Sequence, residues 1–396
     1  MKLTRRLFVT VLLIAAPVLL FSAPRAAQKR TPNKPYLVYV GTYTNKTASK
    51  GIYVYSFDPG TGKLASLGVA AESEDPSFLA VHPNGKFLYA VNEIDNFGGQ
   101  KSGAVSAFTI DPKTGKLTLL NQASTKGRGP CHVSLGKTGK NVLVANYGGG
   151  SVSVFPVRED GSLAPASAFV QHSGSRVDKE RQERPHAHWI ETSPDNRFAL
   201  AADLGLDEVL VYRFNAAKGT LTPNSPPYAK VNPGAGPRHL AFHPNGKFAY
   251  VLTEMEDSVT AFAYKPSNGS LSPLQTVSAL STLRKDYKGP KEAAEIAVHP
   301  SGKFLYASNR AGIDTISVFS IDPAKGTLHL KDEYPTMGKT PRNFAIDPTG
   351  KFLLAANQES NNIVVFRIDS VTGALTPTGD FVEAPAPVCI TFVATR

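Results

Sequence analysis

One leucine position recurs seven times along the chain, at Leu64, Leu117, Leu163, Leu221, Leu271, Leu328 and Leu375. The intervals are 53, 46, 58, 50, 57 and 47 residues. Self-similarity near this period marks a repeat architecture, in which each unit buries its apolar face only against its neighbours. The unit is clearest between Pro237 and Leu271. Leu240 and Phe242 alternate with polar residues, then Pro244-Asn245-Gly246 forms a turn, and Asn-Gly is a strong hairpin signal. Phe248–Thr253 follows as a second strand and Ser258–Tyr264 as a third. The turn Pro266-Ser267-Asn268-Gly269 leads to a fourth at Leu271. A lone four-stranded meander exposes two edges and buries too little to stand by itself.

The first-strand pattern begins at Pro76, Pro130, Pro185, Pro237, Ala293, Pro341 and Pro387. The second-strand pattern covers 86–93, 140–147, 197–204, 247–254, 303–310 and 351–358, with a seventh copy at 35–43. Seven meanders of this length predict an all-β fold, a seven-bladed β-propeller. The phase predicts how the ring closes. The chain starts on a second strand and ends on a first strand, so Pro387–Ala394 should pair with Tyr36–Tyr43, beside Gly51–Phe57. A solenoid would not need this permuted order. One propeller domain is expected over 36–396.

Residues 1–27 stand apart as an export segment. Lys2, Arg5 and Arg6 precede the apolar run Leu7–Phe21, which is short for a membrane span. Thr4-Arg5-Arg6-Leu7-Phe8 is similar to a twin-arginine signal, and an uncleaved anchor is the alternative. The expected location is therefore periplasmic or secreted. Removing this segment takes away four positive charges, so the net charge falls from +11 to +7, a surplus that favours anionic ligands. No basic cluster interleaved with aromatics suggests nucleic acid. Membrane contact is expected only through the export segment. The two cysteines, Cys131 and Cys389, fall in first strands two blades apart, too far for a bridge, and read as small buried hydrophobes.

First strands line a propeller channel, and the start of each lies on the same face as the end of its second strand. That face gathers His132, His186 with His188, Arg238 with His239, Glu295, and Arg342 with Asn343. Second-strand ends add Tyr43, Glu93, Tyr147, Asp203, Glu254 and Arg310. Imidazole and charged groups crowd three consecutive repeats, whereas a purely structural role would predict similar residues all round. His186 and His188 are two apart on a strand and are expected on one side. His82, His243 and His299 fall in His-Pro turns at the other end and read as structural. An inserted loop, 171–184, enters directly before Pro185, and a second long connection spans Ser278–Lys291.

At Arg181-Gln182-Glu183-Arg184-Pro185-His186-Ala187-His188, Asp203-Leu204-Gly205, Gly236-Pro237-Arg238-His239, Ala294-Glu295-Ile296 and Ser308-Asn309-Arg310, the sequence resembles the propeller-type lactonases. That family includes 6-phosphogluconolactonases and carboxy-cis,cis-muconate cyclases. The resemblance implies catalytic roles for His186 or His188, Arg238, Glu254 and Arg310. Arg181, His132, His239, Glu295 and Arg342 are then expected to bind substrate. Opening a lactone needs a base for water and donors for the oxyanion. His186 or Glu254 suits the first, and Arg238 and Arg310 the second. The expected partner is a small anionic sugar lactone. No Gly-x-Ser-x-Gly elbow or zinc spacing occurs, and no cofactor is implied. A metal on His186, His188 and a carboxylate is an alternative, although no acidic cluster favours Ca²⁺. A cycloisomerase and a non-catalytic periplasmic binding propeller are the competing functions.

Overall fold

A computed structural model describes residues 34–281 and 287–395. Its strands form seven four-stranded antiparallel sheets. Blade I combines 36–72 with 387–394; blades II to VII occupy 79–124, 130–171, 187–230, 237–278, 293–335 and 341–383. Inner strands touch in blade order, and the last returns to the first, so the ring is closed. The protein is a seven-bladed β-propeller. The expected seam is present: Pro387–Ala394 pairs antiparallel with Tyr36–Thr42, with Val40 opposite Ile390 and Tyr36 opposite Ala394.

Seven apolar clusters make the core, one between each pair of neighbouring blades. This explains the strand patterns. Second strands such as Phe198–Asp203 are buried at every residue because both faces meet a blade. Outer strands such as Leu64–Glu72 are mostly exposed or half-buried.

The recurrent leucine turns have a steric basis. Gly62, Gly115, Gly161, Gly219, Gly269, Gly326 and Gly373 stand two residues before the seven leucines, all with φ between 64° and 87°. An added Cβ would lie 2.3–2.9 Å from a side chain of the preceding blade, Phe352 for Gly62 and Phe198 for Gly269. Only glycine meets both demands. The hydroxyls of Tyr39, Tyr89 and Tyr306 donate to the carbonyls of Gly115, Gly161 and Gly373, tying blade to blade.

One strand differs from expectation. In blade III the fourth strand runs Ala168–Gln171 and does not begin at Leu163. Leu163 makes only an isolated bridge to Val157. Pro156 and Pro165 interrupt the ladder there, since neither supplies an N–H.

His243 and His299 behave as turn staples. Each shares Nε2 with a carbonyl of the next blade, Gly302 at 2.9 Å and Gly350 at 2.8 Å. Cys131 and Cys389 are free and buried, and burial pushes both thiols up. Among the described residues no helix is long and apolar enough to cross a membrane. The export segment expected over 1–27 lies outside the described residues, as do 282–286 of the second long connection.

Candidate active site

The site is built by an irregularity that the strand pattern hides. In every blade but II, the inner strand slips register near its start. The residue passed over is Cys131, His188, Arg238 or Arg342 in blades III, IV, V and VII. A bulge bends the strand and re-aims its side chains. This corrects the expectation that His186 and His188 project to one side. His186 precedes the strand and faces Glu183 of the inserted loop, its Nε2 3.4 Å from Oε1. His188 sits in the bulge, with Nδ1 3.8 Å from the Cys131 sulfur.

Glu254, at the end of its strand, is the hub. Its Oε2 accepts from Arg238 Nε at 2.9 Å and lies 3.2 Å from Arg310 Nη2. Its Oε1 accepts from Arg181 Nη2 at 2.5 Å. Burial alone would raise its pKa, but the guanidiniums of Arg310, Arg238 and Arg181 outweigh it and hold the carboxyl at about 2. A carboxylate so stabilised is a poor base and a strong anchor. Burial pushes Arg310 down to about 10 and also lowers Arg238, which Arg342 repels.

Arg181 arrives from the inserted loop, which is latched rather than merely solvated. Gln182 is fully buried, and its Nε2 donates to Leu204 O at 2.9 Å and Asp207 Oδ1 at 2.7 Å. Arg176 of the same loop pairs with Glu208. At the loop's root, His172 Nδ1 lies 2.6 Å from Asp203 Oδ2, and Tyr212 bonds its Nε2 at 2.8 Å. Asp203 Oδ1 takes the backbone N–H of His186 at 2.7 Å.

His186 stacks on Tyr147, with ring centroids 4.6 Å apart. Its Nδ1 lies 3.1 Å from the Tyr147 carbonyl. A carbonyl only accepts, so Nδ1 donates to it; in that tautomer Nε2 is unprotonated and lies 3.4 Å from the Glu183 carboxylate. The Tyr147 hydroxyl meets Arg181 Nη2 at 3.5 Å, which joins His186 to the Glu254 cluster.

Deeper in the channel, rings form a septum. His239 lies 5.4 Å from His132 and 5.2 Å from His188 between centroids, and Phe78 is 4.4 Å from His132. Burial lowers the pKa of all three histidines well below the usual value, so they stand neutral. His239 Nε2 faces Arg238 Nη1 at 3.3 Å, and its Nδ1 faces Glu295 Oε1 at 3.0 Å. Glu295 also takes Ile296 N–H at 2.9 Å and Asn343 Nδ2 at 2.5 Å. His132, His239 and Glu295 therefore line the channel below the arginines.

Arg342 stands above the septum and bonds the Tyr43 hydroxyl at 3.0 Å. Tyr43 donates to Glu93 at 2.9 Å. The sequence reading placed Tyr43, Glu93 and Tyr147 on this face without assigning them a role. Their signal was position alone, at second-strand ends. Glu183, His172 and Tyr212 carried no such signal. Among the described residues no group of three His, Cys, Asp or Glu side chains is placed to hold a metal ion.

Two buried carboxyls give this protein a pH signature. Burial raises Glu295 from 4.5 to about 7. It likewise raises Asp257 from 3.8 to about 7. A raised carboxyl pKa favours the folded state below the unfolded value, and that contribution is lost as pH rises through the folded one. Thermal stability is therefore expected to decline between about pH 4 and about pH 7. Glu295→Gln and Asp257→Asn should each flatten the decline in a melting series; an unchanged slope in both would contradict the assignment.

The family profile for Lactonase, 7-bladed beta-propeller, matches residues 37–392. The chain belongs to the propeller lactonase family. A 6-phosphogluconolactonase of Bacillus subtilis is 40% identical over 358 residues, 90% of this chain and 98% of that one. A 6-phosphogluconolactonase of Formosa agariphila is 40% identical over 85% of this chain and 94% of its own. The crystal structure of a periplasmic gluconolactonase from Pseudomonas aeruginosa superposes with a TM-score of 0.84 at 37% identity, covering 91% of this lactonase-family chain and 100% of the other.

Proposed function

We propose that the chain is a 6-phosphogluconolactonase-like hydrolase that opens a sugar δ-lactone above the septum. The observation that carries this reading is one buried carboxylate, Glu254, ringed by Arg181, Arg238 and Arg310, with His186 joined to them through Tyr147. Glu254, with Glu292 3.6 Å from Arg310 Nη1, still leaves one of three guanidiniums unbalanced, so the site attracts an anion. His186 Nε2 takes a proton from water as the oxygen attacks the lactone carbonyl. Arg238 and Arg310 receive the developing oxyanion. The ester C–O bond breaks, and the His186 imidazolium returns its proton to the departing ring oxygen. Lactone and water give an aldonate, whose carboxyl proton is released to solvent. Arg342 and Arg181 hold the anionic end of the substrate.

A second reading concerns the substrate only. The N-terminal pattern of Arg5-Arg6 before Leu7–Phe21 favours export, where an unphosphorylated aldonolactone is the more accessible ester. Proton release by residues 28–396, measured at constant pH on glucono-δ-lactone and on its 6-phosphate, separates the two. Acceleration over background that disappears in Arg238→Ala is expected. Acceleration of neither ester, or an Arg238→Ala variant as fast as the parent, would refute the lactonase reading.

A further inference from the structure

The channel does not end at the septum. Below the rings it opens into a cavity of about 550 Å³ that reaches the far mouth of the propeller. Phe78, Trp189 and Phe242 give it aromatic walls, and His132, His239 and Glu295 give it a polar ceiling. At the rim, Lys137 and Glu191 pair at 2.7 Å and cancel each other's charge.

We propose that this lower cavity is a binding site for a neutral pyranose sugar, separate from the anion site above the septum. Its volume falls in the range of small-ligand sites, and its make-up is theirs as well: mostly apolar walls with a few placed polar groups. The polar groups are themselves buried, His132 at 5% and His239 at 3% exposure. His132 Nδ1 accepts the Ile190 N–H at 3.4 Å, so its proton lies on Nε2. That N–H has no hydrogen-bond partner among the described residues and is a donor for a ligand hydroxyl. When ionised, the Glu295 carboxylate has about four acceptor positions. His239, Ile296 and Asn343 occupy three, and one remains. A donor, an acceptor and flat rings suit the hydroxyls and the apolar ring face of a pyranose.

Charge separates the two sites. Above the septum three guanidiniums surround Glu254, and Glu292 lies 3.6 Å from one of them, which leaves a net positive charge. Below it the imidazoles are neutral and the rim pair is balanced, so nothing there attracts a phosphate or an aldonate. The inference does not depend on the lactonase reading, because it concerns a different cavity and ligands of different charge.

Trp189 is the chain's single tryptophan and lines this cavity. Titration of the intact protein with D-glucose, followed by tryptophan emission, reads the site directly. A saturable change with an apparent Kd on the order of millimolar is expected. It should persist when 6-phosphogluconate is present and in Arg310→Ala. Ala297→Phe, which fills the cavity from the blade VI wall, should weaken it by about tenfold or more. If that variant fails to fold by circular dichroism, His132→Phe takes its place, since it removes the free donor at nearly constant ring volume. A linear response would mean a water-filled channel only and would overturn the proposal. So would a response lost in Arg310→Ala, which would place the sugar above the septum.

Discussion

Replacing His186 with Ala is expected to lower kcat on a sugar lactone by about 10²- to 10⁴-fold with little change in Tm. The expectation rests on geometry. The imidazole is fixed on three sides: by stacking on Tyr147, by the Tyr147 carbonyl at Nδ1, and by the Asp203 carboxylate at its backbone N–H. Nε2, 3.4 Å from the Glu183 carboxylate, is the nitrogen that remains to meet water. External imidazole should restore part of the rate, because it supplies the missing base in the vacated space. His188→Ala should behave differently. That ring is a neutral member of the septum, wedged between Tyr147 and His239, so its loss opens a cavity and lowers Tm. If His186→Ala keeps a tenth or more of the parental kcat, the base is another group and the mechanism fails.

Glu254→Gln should produce the largest loss of stability at the site, about 3–5 kcal/mol, together with loss of activity. The amide keeps the shape of the side chain and removes the charge on which three guanidiniums converge. Those cations then face one another in a buried space. Glu254 titrates at 4.5 when unfolded and at about 2 in the fold. A depressed carboxyl pKa contributes stability above the unfolded value, and the contribution is lost as pH falls through the folded one. The difference in Tm between parent and Glu254→Gln should therefore be full at neutral pH and vanish near pH 2. Inorganic phosphate should raise the Tm of the variant more than that of the parent, since an anion in the site replaces the missing charge. A gap in Tm that does not change with pH would show that packing, not charge, holds the cluster.

The ring was legible because it is written seven times. Gly-x-Leu turns, inner prolines and second-strand runs recur often enough that one irregular blade, with Pro156 and Pro165, does not obscure the count. The permuted closure followed from strand phase alone. The identities of Arg238, Glu254, Arg310 and His186 were legible for the opposite reason: they break the repeat. Their arrangement was not. The register slips that bring Arg238, Arg342 and His188 into the channel leave no mark on an apolar–polar alternation. Charge counting could not say that Glu254 would be an anchor rather than a base, because that depends on three cations arriving from its own blade, the next blade and a loop. Nor could it show that His132, His188 and His239 would touch, since they belong to three blades.

Blade I joins chain ends that are made at very different times. A ribosome delivers Tyr36–Thr42 early and its partner Pro387–Ala394 last, a gap of roughly twenty seconds to a minute at ordinary elongation rates. Through that interval the early strand has an open edge, and no ring exists to lend it neighbours. Residues 387–394 thus act like the slider of a zip: the ring cannot lock before they arrive. A truncation of only ten residues from the C-terminus would remove the inner strand of one blade and leave the circle permanently unfastened.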